Sequence, residues 1–305
     1  FLIFGVSFFL KGLKEGKYMW LSVTLLVLTP LIYSTAKLFT LLLMVFLFIF
    51  YRKEIFKLKR KFLMWALVAG LFFGSITTYA TLFSGGGQRF EYIGIFTDPT
   101  VEPEVGVARL RDARMRGEMG DGLQPTLIDR TIHNKFVTFI DTFTDNYIEA
   151  FSTRFLFTKG DPLPRHSLKS LGQFYAVEIV GFVLGVILFF SGYKDRKKRA
   201  LIGFWLLASP IPSSLTRDGA SHATRLILML LPIAFLISYG VIEGAKLIKK
   251  RYRGIALTGY FGLLAVLFLF FLHQYNFHYP WDSERWWHYG WQEAVNYIED
   301  NENEY

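Results

Sequence analysis

Two arginines and a histidine crowd one short stretch, Thr216-Arg217-Asp218-Gly219-Ala220-Ser221-His222-Ala223-Thr224-Arg225. An arginine fork binds pairs of phosphate oxygens bidentately, so Arg217, His222 and Arg225 could cradle a phosphate. They serve equally as snorkelling anchors, with Arg217 paired to Asp218. Lys37, beside Tyr33 in Tyr33-Ser34-Thr35-Ala36-Lys37, could add a further cation or act as an interfacial anchor. A third group is Phe155-Leu156-Phe157-Thr158-Lys159-Gly160-Asp161-Pro162 followed by Arg165-His166-Ser167. It reads as an aromatic wedge, a turn and a polar lip whose Arg165 and His166 could meet a polyphosphate or a sugar, or else as a turn back into the membrane. His133 could pair with Asp129 four residues earlier or stay on a solvated helix face. Glu178, a few residues into an apolar run, snorkels or hydrogen-bonds to a neighbouring helix.

Other chemistries find no support. Cysteine is absent, which removes disulfides, thiol nucleophiles and Cys metal sites. His273, His278, Asp282 and His288 have no recognised metal-ligand spacing, so no metal ligand is assigned. Ser84-Gly85-Gly86-Gly87 lacks a following Gly-Lys-Ser/Thr and reads as a hinge.

The elements that must carry these residues are apolar. Of 305 residues, 52% are hydrophobic, 18% aromatic and 19% charged, and the charges cluster between long apolar runs. The composition excludes a soluble enzyme, a disordered chain and a fibrous one, and predicts an all-α polytopic membrane protein. With about 20 residues per span, the candidates are 62–82, 175–193, 225–245 and 254–273, the shorter 200–215, and the short pair 19–33 and 38–51, with 1–10 a partial span. That makes about seven spans and one partial one. The segments 11–18, 52–61, 193–199 and 245–253 hold 19 of the 34 Lys+Arg and alternate with the spans. They define a cytoplasmic face, so the net charge of +9 is a topology signal and does not point to nucleic acid.

The predicted organisation is therefore transmembrane helices over 1–83, an extracytoplasmic loop over 84–174, transmembrane helices over 175–273, and an outer domain beginning at 274–305. Within the loop, 92–96 suggests a short strand and 104–116 a short basic helix. Apolar residues at three- and four-residue steps from Ile128 to Phe151 predict one amphipathic surface helix over about 125–152. Four of the seven tryptophans fall in 281–291, as in an interfacial aromatic belt. The chain starts inside an apolar run and stops just past a helical pattern, so it reads as a piece lacking both ends.

A resemblance extends this reading. Tyr33 to Phe39, His133-Asn134-Lys135, Asn146-Tyr147, Phe155 to Ser167, Pro210-x-Pro212-x-Ser214-Leu215-Thr216 with His222-Ala223-x-Arg225, and Tyr289-Gly290-Trp291-Gln292-Glu293-Ala294 follow one another in an order. That order resembles the C-terminal half of GT-C-type membrane glycosyltransferases related to protein O-mannosyltransferases and the lipid A aminoarabinose transferase. The resemblance implies a plasma-membrane, multi-pass enzyme that moves a sugar from a polyprenyl-phosphate carrier to a protein, lipid or glycan acceptor at the outer face, among membrane lipids. It implies that Arg217, His222, Arg225 and Lys37 hold the carrier phosphate, and that Tyr33, His133, Asp161, Arg165 and His166 mark the donor or acceptor region. The catalytic carboxylate of such enzymes would lie upstream of Phe1, leaving no catalytic residue in this chain and the piece inactive alone. The superfamily admits a divalent metal, for which no ligand cluster is visible. A lipid-linked-sugar transporter or flippase and a non-catalytic membrane scaffold are the alternatives.

Overall fold

A computed structural model describes residues 1–83, 92–120, 124–168 and 171–301. The chain divides into two units, each assembled from separate pieces. The first comprises Phe1–Glu149, Asp195–Ala220 and Leu228–Pro232; the second comprises Ala150–Lys194, Ser221–Ile227 and Ile233–Tyr305.

In the first unit the apolar residues of the helix Ala36–Ile55 recur so that Phe39, Leu43 and Leu47 share one face, as a 3.6-residue period requires. All three are buried, in one cluster with Val6 and Phe9 of Leu2–Glu15, Leu26 of Met19–Ile32, and Trp205 of Arg196–Ala208. The Trp205 indole N–H donates to the carbonyl of Leu228 at 3.0 Å, so this large ring enters the core without an orphaned donor. Ser22 donates to the Gly5 carbonyl at 2.7 Å, tying the first two helices together.

Further on, the predicted strand at 92–96 is a single antiparallel bridge, Gly94 to Thr216, continued by a 3₁₀ turn at Ile95–Thr97. The predicted basic helix appears as Val101–Met115. The single helix expected over 125–152 is two helices, Leu127–Ile132 and Lys135–Glu149, broken at His133-Asn134. Apolar periodicity alone does not register the break. A capping box starts the first of the two: the Thr126 hydroxyl accepts from Asp129 N–H while the Asp129 carboxylate accepts from Thr126 N–H.

The second unit is built on close approach of two helices. Glu178–Gly192 crosses the later part of Leu230–Ala245, where Gly185 lies against the Leu236 backbone and Gly240 against the Gly181 carbonyl. A Cβ at Gly185 or Gly240 would collide with backbone that cannot swing aside. Phe189, wholly buried, packs edge-on against Phe235 and Tyr239. One wide helical turn, Arg154–Thr158, buries Phe155, Leu156 and Phe157 and leads into the Gly160-Asp161 turn.

These elements overturn the polytopic bundle. Among the described residues, three helices have the length and apolarity to cross a membrane: Arg60–Phe83, Ile227–Ala245 and Lys250–Trp287. The other expected spans fail for physical reasons. Met19–Ile32 has 14 residues and Glu178–Gly192 has 15, below the roughly 17 needed. The run at 200–215 stops at Ala208 and resumes only as Ile211–Ser214, around Pro210 and Pro212. Ala36–Ile55 carries Lys37, Arg52, Lys53 and Glu54 and spends its apolar face on the protein core. Within 84–174, where helices were expected, Val101–Met115, Leu127–Ile132 and Lys135–Glu149 are present, and the side chains of Asp98, just before the first, and Asp129 are buried and paired. The expectation of about seven spans plus a partial one is corrected accordingly. With it go the multi-pass plasma-membrane placement and the reading as a GT-C, polyprenyl-phosphate-dependent membrane glycosyltransferase, or as its transporter and scaffold alternatives. The expected glycine hinge at Gly85–Gly87 lies outside the described residues.

Candidate metal centre

Gly160 sets the site's geometry. Its φ of +72° is open to glycine and strained for other residues, and a Cβ there would meet the Ser167 hydroxyl and the Leu171 carbonyl oxygen. The turn delivers Asp161 into the interior of the second unit, where its side chain is 1% exposed. A buried carboxylate needs partners. Asp161 has two backbone donors, Leu163 N–H to Oδ1 at 2.8 Å and Ala223 N–H to Oδ2 at 2.8 Å. They leave the carboxylate one orientation.

Two imidazoles converge on that carboxylate. His166 Nδ1 lies 3.2 Å from Asp161 Oδ2, and His222 Nδ1 lies 3.9 Å from it. The two rings are 4.8 Å apart, centre to centre, and both are mostly buried. His166 follows the same turn, its N–H bonded to the Leu163 carbonyl. His222 is the second residue of the Ser221–Ile227 piece and is touched by the Thr224 hydroxyl at 3.1 Å. One potential ligand atom from each of Asp161, His166 and His222 lies within 4.8 Å of the others. Ligands of a tetrahedral zinc sit about 3.4 Å apart, given metal–ligand bonds of about 2.0–2.2 Å, so the widest pair must close by up to about 1.4 Å on binding. The cluster could coordinate a divalent metal. Two nitrogens and one carboxylate oxygen suit zinc, iron(II), cobalt or nickel rather than calcium or magnesium, which take oxygen ligands.

The other residues singled out from the sequence fall elsewhere. Arg217 Nε meets Asp98 Oδ2 at 2.8 Å in the first unit, and its N–H bonds the Ile93 carbonyl. Lys37 stands in the first turn of Ala36–Ile55, and Tyr33 caps the end of Met19–Ile32. His133 Nε2 is 2.7 Å from Asp112 Oδ2, so its acid partner is Asp112 and not Asp129. Asp129 is gripped instead by Arg116, whose hydrogen bonds hold its carboxyl well below the usual carboxylate range. In the second unit Arg225 is half-buried on the same short piece as His222. Arg165 donates from Nε and Nη2 to the Trp286 carbonyl and lies over the Trp287 ring.

Asp161, His166 and His222 are thus brought together, although the sequence assigned them to a donor site and a phosphate cradle and assigned no metal ligand. An acid and an imidazole five positions apart around Gly160, Pro162 and Pro164 were the one local signal; nothing local announces His222. No protein-family model matches the sequence, and no curated protein and no solved structure matches it either.

Proposed function

We propose that the chain is a metal-dependent enzyme whose centre is Asp161, His166 and His222. The observation that carries this reading is a nearly inaccessible carboxylate, fixed by two backbone N–H groups, with imidazole nitrogens 3.2 and 3.9 Å from one of its oxygens. Catalytic zinc sites keep three protein ligands and an open position, whereas structural sites close all four. A metal held this way would supply Lewis-acid activation of a bound water or carbonyl, which favours hydrolysis or group transfer. The roles of the side chains follow from their surroundings. Asp161 contributes the negative charge that offsets the cation. The backbone donors prevent it from turning away, as outer-shell partners do in metal sites generally. The resemblance of the short motifs is a proposal of ancestry alone, and no activity is carried over from it.

The test is metal uptake by the full chain after chelator dialysis, read by elemental analysis and by the visible spectrum of added cobalt(II). About one cobalt per chain, with the intense bands of a low-coordinate site, is expected. Asp161→Asn and His222→Ala should each lose it. A folded protein that takes up no cobalt, or both variants binding as the parent does, would overturn the reading.

A further inference from the structure

Beside the cluster, the second unit holds a cavity of about 470 Å³ whose wall includes His166 and, away from the metal ligands, Glu178. This is within the range of small-molecule pockets. One side is an aromatic ladder built by helical spacing: Phe268, Phe271, Tyr275 and Tyr279 project from successive turns of one helical run. Their rings stack nearly parallel, with centres 6.1, 5.9 and 5.5 Å apart and planes 15°, 17° and 11° from one another.

The charges on the wall are unevenly provided for. Arg165 is committed to the Trp286 carbonyl and the Trp287 ring. His166 turns its Nδ1 to Asp161. Glu178 has a backbone partner, Tyr175 N–H, 2.8 Å from Oε2, and no basic side chain among the described residues pairs with it. A half-buried carboxylate facing aromatic walls is costly to keep charged. Burial accordingly pushes the Glu178 carboxyl up, and a cation beside it would reverse that push.

We infer that this cavity binds an organic ammonium ion, with its apolar body along the ring ladder and its nitrogen at Glu178. The ladder supplies apolar area along which a hydrocarbon body can lie. The free half of the carboxylate supplies a charge-assisted hydrogen bond. A neutral ligand of the same shape would keep the first contribution and lose the second. The inference goes beyond the metal reading and does not depend on it.

The probes are 2-phenylethylamine and its neutral counterpart 2-phenylethanol, titrated calorimetrically into the full chain near neutral pH with EDTA present. The amine should bind about tenfold more tightly than the alcohol, the scale of one hydrogen bond to a charged group. Glu178→Gln keeps an acceptor for Tyr175 N–H, so the helix start survives, and should bring the two probes to similar affinity. Tyr275→Leu should weaken both. EDTA keeps the metal centre empty throughout these titrations, so failure of either reading shows separately. The inference falls if the alcohol binds as tightly as the amine, if Glu178→Gln keeps the preference, or if neither probe binds a chain shown to be folded by circular dichroism.

Discussion

Arg116 holds Asp129 with both terminal nitrogens, Nη1 to Oδ1 and Nη2 to Oδ2, each at 2.8 Å. The pair joins the end of Val101–Met115 to the capping box of Leu127–Ile132, so one carboxylate serves both a fork and a helix start. Because the folded state depresses the Asp129 pKa, its stabilisation is fully present above the ordinary aspartate value of about 3.9. It is lost as pH falls below that value towards the folded one. Asp129→Asn should therefore lower the urea midpoint near neutral pH, and the gap from the parent should narrow as the solution is acidified below about pH 4. Parallel midpoints across that range would show that the pair contributes nothing through its charge.

Arg217 is expected to matter for stability rather than for binding a phosphate. Its partner Asp98 keeps two other donors on Oδ1, the N–H and hydroxyl of Thr100, so removing Arg217 does not orphan the acid. The arginine is also partly exposed, which screens the pair. Arg217→Ala should cost about 1 kcal/mol, and Asp98→Asn with Arg217→Ala should cost less than the sum of the single changes. Denaturant unfolding of the four proteins completes the cycle.

Metal should stabilise the fold as well as occupy the centre. A ligand that binds only the native state adds about 2.7 kcal/mol at a hundred times its Kd. Thermal melts of the chelator-treated chain should shift upward with zinc or cobalt and stay fixed with magnesium. The His166→Ala protein should show no shift with any of them.

Gly160→Ala tests the turn that carries the carboxylate. A positive φ and the loss of space against Ser167 and Leu171 should cost about 1–3 kcal/mol and reduce cobalt uptake, although no ligand has been changed. Gly160→Asn, better tolerated in that backbone region but equally bulky at Cβ, should recover little, because the contacts remain. Uptake equal to the parent in Gly160→Ala would mean that the turn does not set the geometry of Asp161.

Gly185→Ala presses a methyl group into the Leu236 backbone. Neither helix can relieve the overlap by a rotamer change, so a loss of about 3 kcal/mol is expected, read as a drop in the melting temperature. Gly254→Ala, where open space surrounds the position, is the matching control.

Several helices are legible in the residues alone. The runs at 62–82 and 254–273 reappear as Arg60–Phe83 and Lys250–His273, because long uniform apolarity leaves little else for the chain to do. What apolarity could not state was its destination. Phe39, Leu43 and Leu47 fall in a stretch that reads as a short membrane span and are core residues in the fold, a distinction set by Val6, Leu26 and Trp205 arriving from other helices. The break at His133-Asn134 was hidden by an apolar rhythm that continues across it. Asp161 and His166 were visible as polar residues on a turn, but their chemistry depends on His222, and no local pattern ties that residue to them.

The second unit consists of three pieces of chain, with residues 195–220 and 228–232 belonging to the first. The polypeptide therefore passes from one unit to the other five times, and no single cut yields either one intact. In evolutionary terms the two cannot be shuffled, duplicated or inherited as separate modules. During synthesis, Asp161 and His166 must wait until His222 has left the ribosome, so the candidate metal centre is assembled only after most of the first unit has been made.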